Sequence, residues 1–374
     1  MPEVWFRKAS APCVCGVRVL RRQTAGRSKG SLTLARIALD AMGGDLAPAA
    51  PIAGALLALQ EFGSTHTIQL IGREAVIREQ LERLLATEYA EFRDVSRALD
   101  IVHADDVIEM TDKPSVAIRG KPNSSMAVGL RLQPEGKSDA FVSAGNTGAQ
   151  MAASAFILKV HDGVKRPAIS TLLPTARQSV VVLDSGANVD CSPEELVIFA
   201  RLGAIYAEDV LGRPNPSVSL LSIGEEPEKG NAAVKETHQL LAASGLNFHG
   251  NIEGRDVPAG ISDRGVFDVV VCDGFVGNVV LKLYEGMAPM VVGLLAKGGV
   301  SKEQLSRGLQ HLDYASVGGA PLLGVKGVSI ICHGKSSAVA IKNAVQVAAR
   351  TVESRMSDHI GQRLSQHQTS VAQS

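Results

Sequence analysis

The sequence predicts an α/β protein built on a mostly parallel sheet with helices on both faces, an α/β/α sandwich. From about residue 35 onward, short apolar runs rich in β-branched residues alternate with segments of helical periodicity. The strand-like runs are apolar throughout, which is typical of strands buried on both faces. At 374 residues, with 45% hydrophobic and 20% charged residues, the chain can form one large α/β unit or two lobes.

Strands are predicted where short apolar runs are bounded by Gly, Asn, Asp or Pro. These runs are 36–39, 67–71, 101–103, 140–142, 168–172, 180–183, 218–223, 248–251, 269–272 and 328–332. Helices are predicted where apolar residues recur at helical spacing, over 52–62, 74–85, 125–132, 147–158, 193–211, 232–244, 279–296 and 337–352. One helix start is well defined, because Ser192 offers an N-cap, Pro193 occupies the first helical position and Glu195 completes a capping box.

The two ends of the chain differ from the part between them. Residues 1–34 are basic and carry no periodic apolar pattern, so we expect a disordered extension; a targeting peptide or a start assigned too early would look the same. The catalytic domain is expected over residues 35–352. Residues 353–374 are polar, and we expect this tail to fray.

Charge and cysteine usage exclude several classes of protein. Acidic and basic residues are equal, 38 of each, which gives no general reason to expect nucleic acid as a partner. The five cysteines form no C-x-x-C pair and no Cys/His group at zinc spacing, so we expect reduced core thiols in a cytoplasmic protein. The most apolar segment, 279–296, is interrupted by Lys282 and Glu285, and we expect no membrane span.

Five loops that follow predicted strands share a composition of Gly, Asn, Asp and Ser. In open parallel sheets, ligands bind beyond the carboxyl ends of the strands, so we expect these loops to form one polar cleft. Gly43 and Gly44 would let the backbone approach a ligand closely, and Gly186 and Gly277 take similar positions in two other loops. The five loops are 40–45, 143–148, 184–188, 273–278 and 333–337.

The loop 143–148 is the predicted phosphate site. It lies between a strand and a helix, so Gly145, Asn146 and Thr147 would direct backbone N–H groups and neutral side-chain donors at an anion. Lys121 and Lys229 are the candidates for offsetting the charge of the anion.

Several other kinds of site are disfavoured. Gly334-Lys335-Ser336 resembles the end of a Walker A loop, but Ser329 stands where that motif needs glycine, and no G-x-G-x-x-G follows the first strand. We therefore expect neither ATP nor NAD as a cofactor. The carboxylates of the loops lack metal-ligand spacing, so no metal is expected. Cys332 and His333 are adjacent in a strand and would point to opposite faces, which disfavours a nucleophile–base pair.

Six motifs follow one another in order between about residue 35 and about residue 350. They are IALDAMGGDLAP (37–48), SAGNTGA (143–149), LDSGAN (183–188), DGFVGNVVL (273–281), GAPLLG (319–324) and HGKSS (333–337). Together they resemble the bacterial phosphate acyltransferases of phospholipid synthesis. The resemblance implies conversion of acyl-[acyl-carrier protein] and inorganic phosphate into acyl phosphate, which feeds glycerol-3-phosphate acylation at the membrane. It also implies a homodimer lying against the bilayer, with a fold similar to isocitrate and isopropylmalate dehydrogenases and phosphotransacetylases.

Roles for further loop residues follow from the chemistry of such a reaction. Phosphate is itself the nucleophile, so the protein has to position it, stabilise an oxyanion and help a thiolate to leave. Our hypothesis assigns Asn188 and Asn278 as oxyanion or acyl-phosphate donors. Asp45 or Asp273 would accept a proton.

Two alternative functions stay open at this stage. One is a phosphotransacetylase-like enzyme that uses acyl-CoA, and the other is a regulator that binds such ligands without turnover. The membrane surface and the downstream glycerol-3-phosphate acyltransferase are further candidate partners. An apolar helix face would contact either lipid or a second copy of the chain, and its residues are Met287, Met290, Val291, Val292, Leu294 and Leu295.

Overall fold

A computed structural model describes residues 35–62, 65–301, 304–305 and 318–372, and it confirms the α/β prediction. The strands are β1 (Arg36–Asp40), β2 (Thr67–Gly72), β3 (Leu99–His103), β4 (Ala140–Ser143), β5 (Ala168–Ile169), β6 (Thr171–Leu173), β7 (Val180–Leu183), β8 (Val218–Ser222), β9 (Phe248–Glu253), β10 (Ile261–Ser262), β11 (Gly265–Val266), β12 (Val269–Val271), β13 (Ala320–Leu323) and β14 (Ser329–Ile331). The helices are α1 (Ala49–Phe62), α2 (Glu74–Ala86), α3 (Pro114–Gly120), α4 (Ser125–Arg131), α5 (Thr147–Ile157), α6 (Pro193–Asp209), α7 (Ala232–Ala242), α8 (Asp256–Ala259), α9 (Gly274–Lys297), α10 (Ala338–Glu353) and α11 (Met356–Ala372). The extension expected over residues 1–34 lies outside the described residues.

The strands form two main sheets. The first has the order β3-β2-β1-β4-β14-β13-β5, and the second has the order β6-β7-β12-β8-β9. Most neighbours are parallel. The exceptions are β13, which runs antiparallel to β14 and β5, and β6, which runs antiparallel to β7.

Helices cover both faces of each sheet. On the first sheet, Ile37 and Leu39 of β1 pack with α1 and α10, while Ala38 packs on the opposite face with α4 and α5. On the second sheet, α6 and α11 cover one face, and the beginning of α9 covers the other. Burial on both faces explains why these strands are apolar along their length.

One predicted strand, 168–172, is divided between the two sheets. Its first part, β5, pairs with β13 in the first sheet, and its second part, β6, pairs with β7 in the second. Ser170 lies between the two parts. The chain therefore passes from one sheet to the other within a single extended segment.

A buried carboxylate at the end of β7 holds this junction. Asp184 Oδ1 accepts hydrogen bonds from the N–H groups of Ile169 (3.1 Å), Gly186 (3.2 Å) and Ala187 (3.0 Å). Asp184 Oδ2 accepts from the backbone N–H and the side-chain amide of Asn188, at 2.6 and 2.9 Å. Burial raises the pKa of Asp184, and the five N–H donors oppose that rise because they stabilise the ionised form. Because Ile169 ends β5, the carboxylate ties loop 184–188 to the first sheet.

The strand β13 is missed by the sequence prediction because it contains Pro321. Proline has no N–H to donate and usually argues against a strand interior. Here Pro321 contributes its C=O, which accepts a hydrogen bond from the N–H of Ser170 at 2.9 Å. Ala320 and Leu322 on either side pair with β14 and β5.

The expectation that residues 353–374 form a fraying polar tail is wrong for the part that the structure describes. Residues Met356–Ala372 form α11. Met356, Ile360 and Leu364 are four residues apart and are buried in the same cluster as residues of α6. Three apolar residues in a polar helix make too sparse a pattern to indicate burial from the sequence.

The helix α9 begins at Gly274 instead of residue 279. Asp273 caps its start, and Gly274, Gly277 and Leu281 are buried. By length and composition α9 is able to cross a bilayer, so the expectation that no segment qualifies is not confirmed. Its first two turns, however, are part of the protein core, because they pack on the second sheet.

Gly277→Ala should lower the free energy of unfolding by about 1–3 kcal/mol. A Cβ at Gly277 would lie on the carbonyl oxygen of Asp184, far inside van der Waals contact. Gly286→Ala on the same helix is the matched control: a Cβ there meets nothing within 4 Å and should stabilise the helix by about 0.5–1 kcal/mol. Urea unfolding followed by circular dichroism measures both, and equal stability of Gly277→Ala and the wild type would contradict this packing.

Candidate active site

All five polar loops lie along one edge that both sheets form. The first-sheet loops follow three neighbouring strands: loop 40–45 follows β1, loop 143–148 follows β4 and loop 333–337 follows β14. The second-sheet loops follow two neighbouring strands: loop 184–188 follows β7 and loop 273–278 follows β12. The N–H of Ser185 donates to the C=O of Ile169 at 3.0 Å. This contact brings the second-sheet loops to the edge at which β5 ends.

A buried carboxylate, Asp40, holds the first-sheet loops together. Asp40 Oδ2 accepts a hydrogen bond from the Ser143 hydroxyl at 2.8 Å, and Ser143 Oγ accepts one from the N–H of Gly145 at 3.0 Å. Asp40 Oδ1 accepts from the N–H of Met42 at 3.1 Å. Burial raises the pKa of Asp40, and its hydrogen bonds counteract this effect. The N–H of Gly145 is therefore used within the protein, which the phosphate hypothesis did not foresee.

Gly43 and Gly44 are required by contacts between the loops. A Cβ on Gly43 would lie 2.6 Å from Asp40 Oδ2, and a Cβ on Gly44 would lie 2.9 Å from the carbonyl oxygen of Gly334. Asp45 donates its N–H to the same carbonyl at 2.7 Å and exposes its side chain. The two glycines thus allow loop 40–45 to pack on loops 143–148 and 333–337. This reason differs from the ligand access that the sequence suggested.

Asn146 anchors the start of α5 and has no side-chain donor left for a ligand. Its Oδ1 accepts the N–H of Ala149 at 3.0 Å, and its Nδ2 donates to the carbonyl groups of Met110 and Asp112, both at 3.0 Å. These contacts speak against the hypothesis that the Asn146 amide binds phosphate. Thr147 is exposed at the first position of α5, where backbone N–H groups have no acceptor inside the helix.

Lys121 reaches the same segment, but its charge is already paired. Its ammonium donates to the C=O of Val107 at 2.8 Å and lies 2.5 Å from Asp112 Oδ2. The hydrogen bond from Lys121 holds the pKa of Asp112 below its usual range. Together with Asn146, Lys121 holds residues 107–112 beside loop 143–148, so its contacts favour a positioning role over direct contact with an anion.

Lys335 is a candidate that the sequence hypothesis did not select. A cavity of about 200 Å³ lies beside this lysine. It is lined by His333, Lys335, Ser336, Ser337 and Ala340, and by Gly318 and Gly319 before β13. The N–H of Lys335 donates to His333 Nδ1 at 3.1 Å. In the described part of the chain, no carboxylate pairs with the Lys335 ammonium. Its signal in the sequence is Gly334-Lys335-Ser336, where a lysine follows glycine in a loop after a strand.

Lys229 lies apart from the first-sheet loops. It follows β8 in the second sheet and is exposed, with Cγ 2.8 Å from the position of a Cβ on Gly224. Among the described residues, no hydrogen bond or ion pair joins Lys229 to loop 143–148, where the sequence hypothesis placed its charge.

Asn188 has a structural task in the second-sheet loops. Its Nδ2 donates to Asp184 Oδ2 and to the C=O of Pro167, both at 2.9 Å. Both amide hydrogens are used in this way, which leaves none for an oxyanion. The side chain instead helps to fix the junction between the two sheets.

Asp273 and Asn278 lie in the first turns of α9 and differ in availability. Asp273 Oδ1 caps the helix by accepting the N–H of Val276 at 2.8 Å. Asn278 is exposed, and its Oδ1 lies 3.5 Å from the position of a Cβ on Gly186. Asn278 is thus the second-sheet residue of the hypothesis whose amide is able to reach a ligand.

The described thiols are neutral at physiological pH. Burial raises the pKa of Cys191 to about 11 and that of Cys332 to about 12, and it raises the pKa of Cys272 well above the ordinary range. The prediction of buried core thiols is confirmed for Cys272 and Cys332; Cys13 and Cys15 lie outside the described residues. Within the described ranges, no group of three or more His, Cys, Asp or Glu residues could hold a metal ion.

Solved structures share the architecture of this chain. A phosphotransacetylase from Streptococcus pyogenes is 15% identical, with a TM-score of 0.59 and coverage of 86% of this chain and 95% of that one. The EutD phosphotransacetylase from Staphylococcus aureus is also 15% identical, with a TM-score of 0.57 and coverage of 85% and 94%. At these identities the likeness concerns the fold alone.

Sequence comparisons identify the family. The model of a family described as "Fatty acid synthesis protein" matches residues 35–359. The phosphate acyltransferase of Desulforamulus reducens is 50% identical over 328 residues, which are 85% of this chain and 94% of the relative. That of Pelobacter propionicus is 45% identical over 344 residues, with coverage of 89% and 95%. The chain therefore belongs to the phosphate acyltransferase family of enzymes.

Proposed function

We propose that this protein makes acyl phosphate from acyl-[acyl-carrier protein] and inorganic phosphate. The observation that carries the proposal is the edge of five loops, in which the start of α5 and the unpaired Lys335 ammonium belong to loops that pack on each other. The names of the relatives support acyl transfer to phosphate. The neutral thiols fit a reaction in which phosphate, and no cysteine, is the nucleophile.

The proposed reaction is a direct displacement at the thioester carbonyl. An oxygen of hydrogenphosphate attacks the carbonyl carbon, the carbon–sulfur bond breaks, and the acyl group leaves as acyl phosphate. The proton of hydrogenphosphate ends on the carrier thiolate, which becomes the free thiol. Asp45 is the better placed of the two candidate proton acceptors, because its side chain is exposed beside Gly334 whereas Asp273 caps α9.

Backbone N–H groups and two side chains provide the proposed electrostatic stabilisation. The N–H of Thr147 and the Lys335 ammonium would hold phosphate. The N–H has no acceptor inside α5, and no described carboxylate pairs with the ammonium. The exposed amide of Asn278 would donate to the oxyanion, a contact typically worth ~3 kcal/mol in the transition state. Lys121 and Asn146 would support this arrangement by fixing residues 107–112.

Trapping with hydroxylamine tests the function directly. Purified protein with phosphate and acyl-[acyl-carrier protein] should give the acyl hydroxamate, because acyl phosphate reacts readily with hydroxylamine. Acyl-CoA at the same concentration should give at least about tenfold less. Product mainly from acyl-CoA would favour the phosphotransacetylase-like alternative, and binding of both substrates without product would favour a regulator.

Lys335→Met should raise the KM for phosphate by about 10–100-fold, equivalent to about 1.4–2.8 kcal/mol of lost binding. The reason is the loss of an unpaired positive charge beside the proposed anion. Lys335→Arg should stay within about threefold of the wild type, and Lys326→Met, whose ammonium pairs with Asp162 on the surface, is the control. An unchanged KM for phosphate in Lys335→Met would remove this residue from the site.

We infer a homodimer that forms through α9. Val280, Leu283, Met287, Met290 and Leu294 are spaced three and four residues apart in turn, which is the a/d repeat of a coiled coil. Leu283, Met290 and Leu294 are 58%, 53% and 61% exposed. A second copy of the same helix would cover this seam. Lipid is the alternative partner, and the experiment below distinguishes the two.

Charge on the α9 seam tests the dimer. Met290→Asp should turn a dimer into a monomer in size-exclusion chromatography with light scattering, because a buried, unpaired carboxylate is costly. Val339→Asp is the matched control, since Val339 is 51% exposed and lies on α10, outside the apolar face of α9. Unchanged size together with lost flotation on anionic vesicles would indicate that the seam contacts lipid instead.

The proposed setting is the cytoplasm, with the acyl carrier protein as the donor partner. A protein that uses a soluble carrier needs no membrane span, and the first turns of α9 are part of the core. The acyl phosphate would serve as the donor for glycerol-3-phosphate acylation at the membrane.

A further inference from the structure

A second cavity, of about 420 Å³, lies at the second-sheet end of the edge. It is found where β8 and β12 end and where α7 and α9 begin, and Leu196 of α6 also lines it, so its walls come from five elements. Ligands of open α/β sheets bind at such strand ends, and ligand pockets measure about 300–1,000 Å³. The cavity is distinct from the smaller one that Lys335 lines.

The walls of this cavity are mainly apolar. Leu221, Ile223, Ala233 and Val276 are among the residues that line it. Cys191 and Cys272 also line it, and they act as small apolar residues because their thiols remain protonated. Of the described lining residues, Asp273 alone carries a charge, and one of its oxygens is used to cap α9.

We propose that this cavity holds the acyl chain of the thioester donor and that its size sets the longest chain accepted. The inference rests on the proposed function, which requires a donor with an apolar chain. Most donors and acceptors of an arm that contains amide groups would stay unpaired, because Ser222, Asn231 and Asp273 are the polar side chains among the described lining residues. An alkyl chain instead gains about 0.8 kcal/mol for each buried methylene, which is about fourfold in binding.

The position of the cavity relative to the second-sheet loops supports this occupant. Asp273 and Cys191 line the cavity; Asp273 belongs to loop 273–278, and the Cys191 thiol donates to the C=O of Asn188 at 3.3 Å. A thioester carbonyl bound at these loops would therefore have the cavity on one side. The first-sheet loops with the proposed phosphate site continue along the edge on the other side.

Ala233→Phe provides a specific test, because the larger ring would fill part of the cavity. Its matched control is Ala232→Phe: Ala232 is the preceding residue of α7, is exposed and does not line the cavity. With carrier proteins bearing short, medium and long saturated chains, Ala233→Phe should lower kcat/KM for long chains by at least about tenfold. Short chains should stay within about twofold, and Ala232→Phe should keep the wild-type profile. Ala233→Leu, a smaller filler, should shift the profile less and serves if the Phe variant does not fold.

A binding measurement separates this inference from the proposed function. Wild-type protein should bind cis-parinaric acid with a rise in its fluorescence, and Ala233→Phe should reduce that binding by about tenfold. If the wild type forms no acyl phosphate but binds the fatty acid in an Ala233-dependent way, the cavity assignment stands and the proposed function fails. An unchanged chain-length profile, or an equal loss for all chain lengths, in a folded Ala233→Phe variant would overturn the cavity assignment.

Discussion

The structure depends on the desolvated carboxylate of Asp184 at the point where two sheets meet. An ionised group without water needs other partners, and here five N–H donors provide them, one of which comes from the last residue of β5. The same loop receives Gly277 of α9, which has no room for a side chain. Asp184 therefore fixes the junction between the sheets, the conformation of loop 184–188 and the position at which α9 begins.

The edge divides its tasks between the two sheets. The first-sheet loops contain the start of α5 and Lys335, which are suited to an anion. The second-sheet loops border the larger apolar cavity and contain Asn278. This division matches the proposed reaction, in which the charged phosphate approaches the thioester carbonyl from one side and the alkyl chain of the donor lies on the other. The division follows from topology, because strand ends from both sheets meet at β5 and Asp184.

Sequence reasoning succeeded where the signal was local and failed where it depended on a distant partner. The capping box at Ser192 and Glu195 forms as predicted, because its two hydrogen bonds join residues three apart. The parallel sheet and the loops at its edge were also predictable from runs of apolar residues and glycines. The tasks of Asn146 and Asn188 were not, because their amides bind carbonyl groups 36 and 21 residues away. The sequence likewise does not show that Asp112 pairs with Lys121. Nor does it show that α11 packs on α6, because that contact joins segments far apart in the chain.

The amides and carboxylates that are used inside the protein have a consequence for rate. In water, dipoles around a reacting anion have to reorient as charge moves, and this reorganisation is part of the activation barrier. Asp40, Asn146 and Asn188 remove freedom from the loops, because their hydrogen bonds hold the loop backbone in one conformation before a ligand arrives. In the proposed reaction, the loop groups that have no partner inside the protein would therefore need little reorientation as charge moves.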